Sequence, residues 1–319
     1  MTTGGVIHWD DARNWRAERG HIAGTWHSLT GHASDRVGVK RIVVDAGRWS
    51  TPLHLEGSEE EIFFVLGGSG ISVQQGDTLK PEAYDVRPGD CLVHLPLEHA
   101  HTLQAGPEGL DVLAFGERHL AGSTLLPNAG VSWLGATWVL EGAEEDHPWT
   151  REAAAGPPAF DGMARRPTRI VNVDEVEPVE RDGSTVGRRI RDLGRWAGSK
   201  RTGLRHAEVL PGKLNAPPHC HSAEEEIFVV LEGDGELLLW EPEDISEQPV
   251  RAGSVVARPA GTGVAHAFRG GSSGLTLLMY GTRDPNDICL YPRSGKVYFA
   301  GLGLVARLGE PLDYWDGED

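Results

Sequence analysis

Apolar residues along this chain come in short bursts, not in long periodic stretches. Ile62–Leu66, Ile227–Leu231 and Leu275–Met279 are typical, each a run rich in valine, leucine, isoleucine and phenylalanine followed by glycine-bearing segments. Runs of this length between turn signals read as buried strands. Many of them at regular spacing predict a sandwich or barrel in place of alternating strands and helices. Gly68-Ser-Gly70 and Gly233-Asp-Gly235 read as hairpin turns between such strands, because no lysine follows to make them phosphate loops. Helix signals are sparse, and Asp10–Trp15 is the short stretch expected to be helical. The pattern predicts an all-β protein.

The pattern also occurs twice. Ser34, Arg36 and Gly38 return as Ser199, Arg201 and Gly203, a shift of 165 residues. The same shift carries Gly47 to Gly212, His54 to His219, Glu61 to Glu226, Gly68 to Gly233, Gly70 to Gly235, His101 to His266 and Arg118 to Arg283. A constant offset over so many positions means two copies of one structural unit. Residues 119–167 hold the Gly, Pro and Ala clusters and the Glu144-Glu145-Asp146 run of a connector. We therefore divide the chain into residues 1–157, the first barrel with its connector, and 158–319, the second barrel with the C-terminal tail. Trp133, Trp138 and Trp149 in the connector are expected to pack against a domain.

Ligand-type side chains recur in register with the repeat. In the second copy His219 and His221 are two residues apart, so on a strand both point to one side and can meet one cation. Glu226 follows across a turn and His266 arrives from a distant strand. Three imidazoles and one carboxylate leave open positions on a six-coordinate iron, manganese or nickel ion. The first copy offers His54, Glu56, Glu61 and His101, with a carboxylate in place of the second histidine. That set either suits a harder cation, manganese or magnesium, or is a vestige. His94, His99 and His206 read as surface or satisfied core histidines, and Cys220, between the two ligand histidines, should face away from the metal. Glu224 and Glu225 are expected to face solvent, with Glu225 the substitute ligand if the turn differs by one residue. Arg205 and Arg258 are candidates to hold a substrate carboxylate.

These residues resemble the two motifs of the cupin superfamily, G-x5-H-x-H-x3,4-E-x6-G and G-x5-P-x-G-x2-H-x3-N. Gly212, His219, His221, Glu226 and Gly233 follow the first, with six residues in place of five after Gly212. Gly253, Pro259, Gly261 and His266 follow the second, but four residues separate Gly261 from His266, and Gly270 replaces the closing asparagine. The resemblance implies two tandem jelly-roll (double-stranded β-helix) barrels, a bicupin. It also implies one divalent transition metal (Mn, Fe, Ni or Zn) in the second barrel, with a second ion in the first as an option. By the same analogy the activity is metal-dependent and acts on a small, carboxylate-bearing metabolite, with a dioxygenase-type oxidoreductase expected first. A decarboxylase or isomerase, or a barrel that binds a metabolite or sugar without turning it over, is the alternative. The stretch from Asp284 to Trp315 is similar to the tail of a bacterial bicupin group and is expected to pack on the barrels with Trp315 as an anchor.

Composition narrows the partners. Of the 319 residues, 47 are acidic and 30 basic, a formal charge of −17 that repels phosphate backbones and anionic membranes. No nucleic acid and no membrane partner is expected; a small-molecule substrate and self-association into a homo-oligomer are. Cys91, Cys220 and Cys289 are too scattered for a disulfide framework or zinc knuckle, and the N-terminus carries no secretion-type apolar stretch, so a cytoplasmic location is expected.

Overall fold

The computed structural model of the protein describes residues 5–31, 33–76, 80–134, 147–241, 244–309 and 312–318. Trp138 and the Glu144-Glu145-Asp146 run lie outside them. The two copies fold as two all-β barrels with the same strand order. In the first, the principal sheet runs 170–172, 90–94, 61–75, 100–117, 37–44, 22–28 and 13–19, with 82–86 also paired to 61–75. In the second it runs 7–8, 254–258, 226–241, 265–282, 202–209, 187–191 and 179–182, with 244–251 on 226–241. Each half lends an edge strand to the other: Ile7–His8 pairs with Ser254–Arg258, and Ile170–Asn172 with Asp90–His94. Among the described residues no helix is long and apolar enough to cross a membrane.

The strands are longer than their apolar runs suggest. Glu61–Gln75 and Glu226–Glu241 each continue through the glycine pair expected to be a hairpin turn, so those expectations are corrected. The pairs sit instead at irregularities in pairing with 100–117 and 265–282. Gly68 and Gly233 take φ of 76° and 79°, and a Cβ on either would lie within 2.3 Å of the carbonyl oxygen of Gly109 or Gly274. Only glycine meets both demands, and the bend lets one strand serve two stretches of its sheet. The helix expected at Asp10–Trp15 is also absent. Arg13–Arg19 is a strand, because a tight turn at Gly20 (φ 54°) folds it back on Ile22–Ser28.

The barrels pack together through a continuous apolar cluster that draws on both, including Ile62, Phe64, Phe115, Ile227, Val229 and Tyr280. Phe115 and Tyr280, which are repeat equivalents, meet each other at 4.9 Å between ring centres. Two glutamates flank this core. Glu60, fully buried, accepts from Ser199 Oγ (3.1 Å), Lys200 N (2.8 Å), Thr202 N (2.9 Å) and Thr202 Oγ1. Its repeat equivalent Glu225 accepts from Ser34 Oγ (2.6 Å), Arg36 N (2.9 Å) and Asp35 N (3.3 Å). Glu225 is therefore neither solvent-facing nor a substitute ligand, as its side chain crosses to the other barrel. The two halves meet as the subunits of a twofold dimer would, each offering the same patch to the other.

Candidate metal centres

Backbone pairing puts the histidines opposite one another. His219, just before the short strand Cys220–His221, bridges His266 near the start of Ala265–Thr282. His266 N donates to His219 O at 2.8 Å, and His219 N to His266 O at 3.2 Å. His54 and His101 make the same bridge with the same two lengths. Glu226 and Glu61 open the neighbouring long strands, so each carboxylate enters the barrel beside the bridged pair.

In the second barrel one carboxylate oxygen lies near three ring nitrogens. Glu226 Oε2 is 3.0 Å from His266 Nε2, 3.4 Å from His221 Nε2 and 3.8 Å from His219 Nε2. Glu226 Oε2, His221 Nε2 and His266 Nε2 are all buried, and none makes a hydrogen bond. Buried polar atoms are almost always partnered, so three unpartnered lone-pair atoms converging on one place fit a bound cation. The outer nitrogens are spoken for. His219 Nδ1 donates to Pro217 O at 2.8 Å, and His221 Nδ1 is 2.7 Å from Asp287 Oδ2. A donor bond at Nδ1 leaves the Nε2 lone pair facing the site, which is how metal-binding imidazoles are usually oriented. Burial pushes the Glu226 carboxyl up, but His221 and His266 outweigh it and hold it well below the usual carboxylate range. Burial pushes His266 down to about 4. Burial also opposes charge on His221, yet Asp287 and Glu226 raise it to about 11, so an entering cation displaces a proton there.

Asp287 was not foreseen. It lies in the stretch read only as a packing tail, 66 residues from its partner histidine, and no spacing links the two. Its buried carboxylate also accepts from Ala223 N (2.9 Å) and Glu224 N (3.1 Å), fixing the turn between His221 and Glu226. Replacing Asp287 with alanine should weaken metal binding about 10- to 100-fold while the four ligands remain, measured by competition with a chromogenic chelator. Cys289 was missed as well; its sulfur lies within 4.8 Å of ligand atoms of His219 and His221. Burial raises its thiol to about 11, which disfavours the thiolate that a cation needs. Cys220 is buried and lines a narrow recess with His221, Glu226 and His266.

The first barrel gathers a trio of its own. His101 Nε2 and His54 Nε2 lie 3.0 Å and 3.5 Å from Glu61 Oε2, and His54 Nδ1 is 2.9 Å from Pro52 O. Glu56 stands further off, 3.9 Å from His54 Nε2, with Thr124 Oγ1 donating to it at 3.0 Å. Burial and the neighbouring Glu61 raise the Glu56 carboxyl to about 7. His94 is buried and stacks in parallel on His101 at 3.8 Å, whereas His99 is half-buried.

Each centre opens into its own cavity. The second, about 530 Å³, is lined by His219, His221, Glu226, Arg188, Arg205 and Arg283. Arg205 is at its edge, with Nε 3.4 Å from Asp192, while Arg258 is buried on the strand facing Glu226. The first cavity, about 620 Å³, is walled by Trp15, Trp26, Phe63 and Trp149 above His54 and Glu61. Trp149 tilts onto Trp26 at 5.7 Å, the packing role expected of it. Trp315 is no anchor: it is 62% exposed, and its neighbours Leu312 and Tyr314 are exposed with it.

The Cupin domain family model matches residues 205–280, which contain all four second-barrel residues. No curated protein sequence matches the chain. Among solved structures, a deletion mutant of Bacillus subtilis oxalate decarboxylase superposes with a TM-score of 0.62 at 18% identity, covering 88% of this chain and 77% of its own. Lactobacillus farciminis oxalate decarboxylase in a formate complex gives 0.59 at 16%, covering 90% and 88%. A further Bacillus subtilis oxalate decarboxylase structure, described for its Mn(II) centres, gives 0.60 at 17%, covering 88% and 77%. At these identities the likeness is one of fold.

Proposed function

We propose, from the premise that the chain is a two-domain member of the cupin superfamily, that its second barrel is a metal-dependent active site for a small carboxylate, and that the reaction is a decarboxylation. The observation that carries this reading is the convergence of three unpartnered buried atoms from His221, Glu226 and His266, beside a cavity that His219, His221 and Glu226 line together with Arg188, Arg205 and Arg283. His219, His221, Glu226 and His266 would hold one divalent ion, and His54, Glu61 and His101, with Glu56 nearby, a second. The ion would supply Lewis-acid polarisation of a bound carboxylate. Manganese is the first choice, because it suits a mixed imidazole and carboxylate set and because the Mn(II) centres belong to a structure of the same fold.

The chain's own residues supply the rest. Arg188, Arg205 and Arg283 line the cavity together with Glu224, Glu226, Asp284 and Asp287, so a bound divalent ion would supply the excess positive charge that draws an anion in. Glu224, half-buried on the same cavity wall, holds its carboxyl 3.8 Å from His221 Nδ1 and accepts from Asp284 N, which leaves an oxygen able to exchange a proton with a bound ligand. Decarboxylation stands ahead of the dioxygenase reading because the solved structures of this fold described above are oxalate decarboxylases. Manganese-loaded protein offered two- to four-carbon carboxylic acids should release carbon dioxide with no stoichiometric oxygen uptake, followed by membrane-inlet mass spectrometry. Uptake of one oxygen molecule per substrate would move the assignment back to a dioxygenase.

A further inference from the structure

Two positions of the repeat change together at the metal centres. In the second barrel Cys289 stands directly opposite His221, where Ile288–Tyr291 pairs antiparallel with Cys220–His221. In the first barrel the residues 165 positions earlier, Thr124 and Glu56, are paired in the same way. Residues opposite each other in such a pair put their side chains on one face of the sheet, about 5 Å apart at Cβ. The first barrel therefore offers a carboxylate with a hydroxyl donating to it at 3.0 Å. The second offers an imidazole with a thiol. Both exchanges run the same way, from hard oxygen to softer nitrogen and sulfur.

The thiol is placed to use that difference. Cys289 is 2% exposed, lines the cavity of the second centre, and brings its sulfur within 4.8 Å of ligand atoms of both His219 and His221. Donors around one tetrahedral zinc ion stand roughly 3.5 Å apart at its usual bond lengths, so the trio is a slightly opened version of that arrangement. Glu226 offers the same two histidines a carboxylate, 3.4 Å from His221 and 3.8 Å from His219. The other carboxylates near His221 are held by bonds of their own: Asp287 Oδ2 lies 2.7 Å from His221 Nδ1 and Oδ1 accepts from Ala223 N, while Glu224 accepts from Asp284 N. His219 and His221 can thus share an ion with a hard donor or with a soft one. Manganese competes poorly for sulfur and leaves the thiol protonated, whereas zinc or cobalt(II) bonds to the sulfur and releases its proton to solvent.

We propose that Cys289, with His219 and His221, forms a second donor set in this centre that takes borderline-soft divalent ions such as Zn(II) and Co(II), whereas Mn(II) takes the set completed by Glu226 and His266. This rests on the reading that His219 and His221 are metal ligands. The second barrel is then the one that captures zinc, because the first has oxygen donors, Thr124 and Glu56, at both places.

The test loads the full chain with Co(II), whose bonds to sulfur give an intense near-ultraviolet charge-transfer absorption that bonds to nitrogen and oxygen lack. That band should appear in the wild type, survive Cys220→Ser and vanish in Cys289→Ser. In a His101→Ala background, which leaves only the second centre complete, Cys289→Ser should weaken Zn(II) binding about tenfold or more and leave Mn(II) binding within about twofold. Zinc-edge X-ray absorption of the His101→Ala protein should find a sulfur beside the nitrogen donors, and it decides alone should Cys289→Ser fail to fold. Co(II) bound without the band, a band that survives Cys289→Ser, or equal effects of that substitution on Zn(II) and Mn(II) would overturn this inference and spare the metal centre. Co(II) uptake by the His101→Ala protein that is absent, or unchanged by His219→Ala, defeats both.

Discussion

Glu226→Gln lowers the affinity of the second barrel for a divalent ion by about 100-fold or more, a larger effect than the loss of a supporting residue such as Asp287. The substitution keeps the size of the side chain and removes the one negative charge among the four ligands. Glu226 Oε2 is also the carboxylate oxygen that lies within 3.8 Å of His219, His221 and His266 together. The apo fold should tolerate the change, because the amide still fills the same buried volume. At a metal concentration 100 times the wild-type dissociation constant, the bound ion stabilises the wild type by about 2.7 kcal/mol, and the variant loses most of that. Chelator competition checks the affinity, and denaturation with and without metal checks the stability. Equal metal binding by variant and wild type would show that Glu226 is not a ligand.

The second large effect is structural. Glu60→Ala should destabilise the protein by about 3–5 kcal/mol, since it removes a buried carboxylate and strands the donors of Ser199, Lys200 and Thr202 on the opposite barrel. Glu225→Ala acts on the mirror-related contact with Ser34, Asp35 and Arg36 and should cost somewhat less, because it has fewer donors to strand. Equilibrium unfolding followed by tryptophan fluorescence would measure both. Because these bonds join the halves, the variants should also separate the unfolding of the two barrels into distinct transitions. A loss below about 1 kcal/mol for Glu60→Ala, with unfolding still in one step, would mean that the apolar core alone couples the barrels.

Much of this was legible from spacing. The 165-residue offset identified both copies, and the two-residue interval of His219 and His221 anticipated side chains on one side of a strand. Spacing could not show where the long strands continue, because Gly68-Ser-Gly70 looks like a turn locally and becomes a bulge only when a partner strand is present to pair with both sides. It also could not assign Glu225. Three consecutive glutamates differ in sequence only by position, yet Glu224 faces the cavity, Glu225 crosses to the other barrel and Glu226 enters the metal centre. Strand alternation explains that division once the register is known. Asp287 escaped for a different reason: the residues that support a ligand are fixed by tertiary packing of a distant segment, and no local pattern records them.

Metal content of the purified protein tests the central claim most directly. Protein produced with manganese supplied should hold about one ion per chain or more, judged by elemental analysis, and should lose thermal stability when a chelator removes it. Less than about a tenth of an ion per chain, with thermal stability indifferent to chelator, would contradict a metal centre at His219, His221, Glu226 and His266.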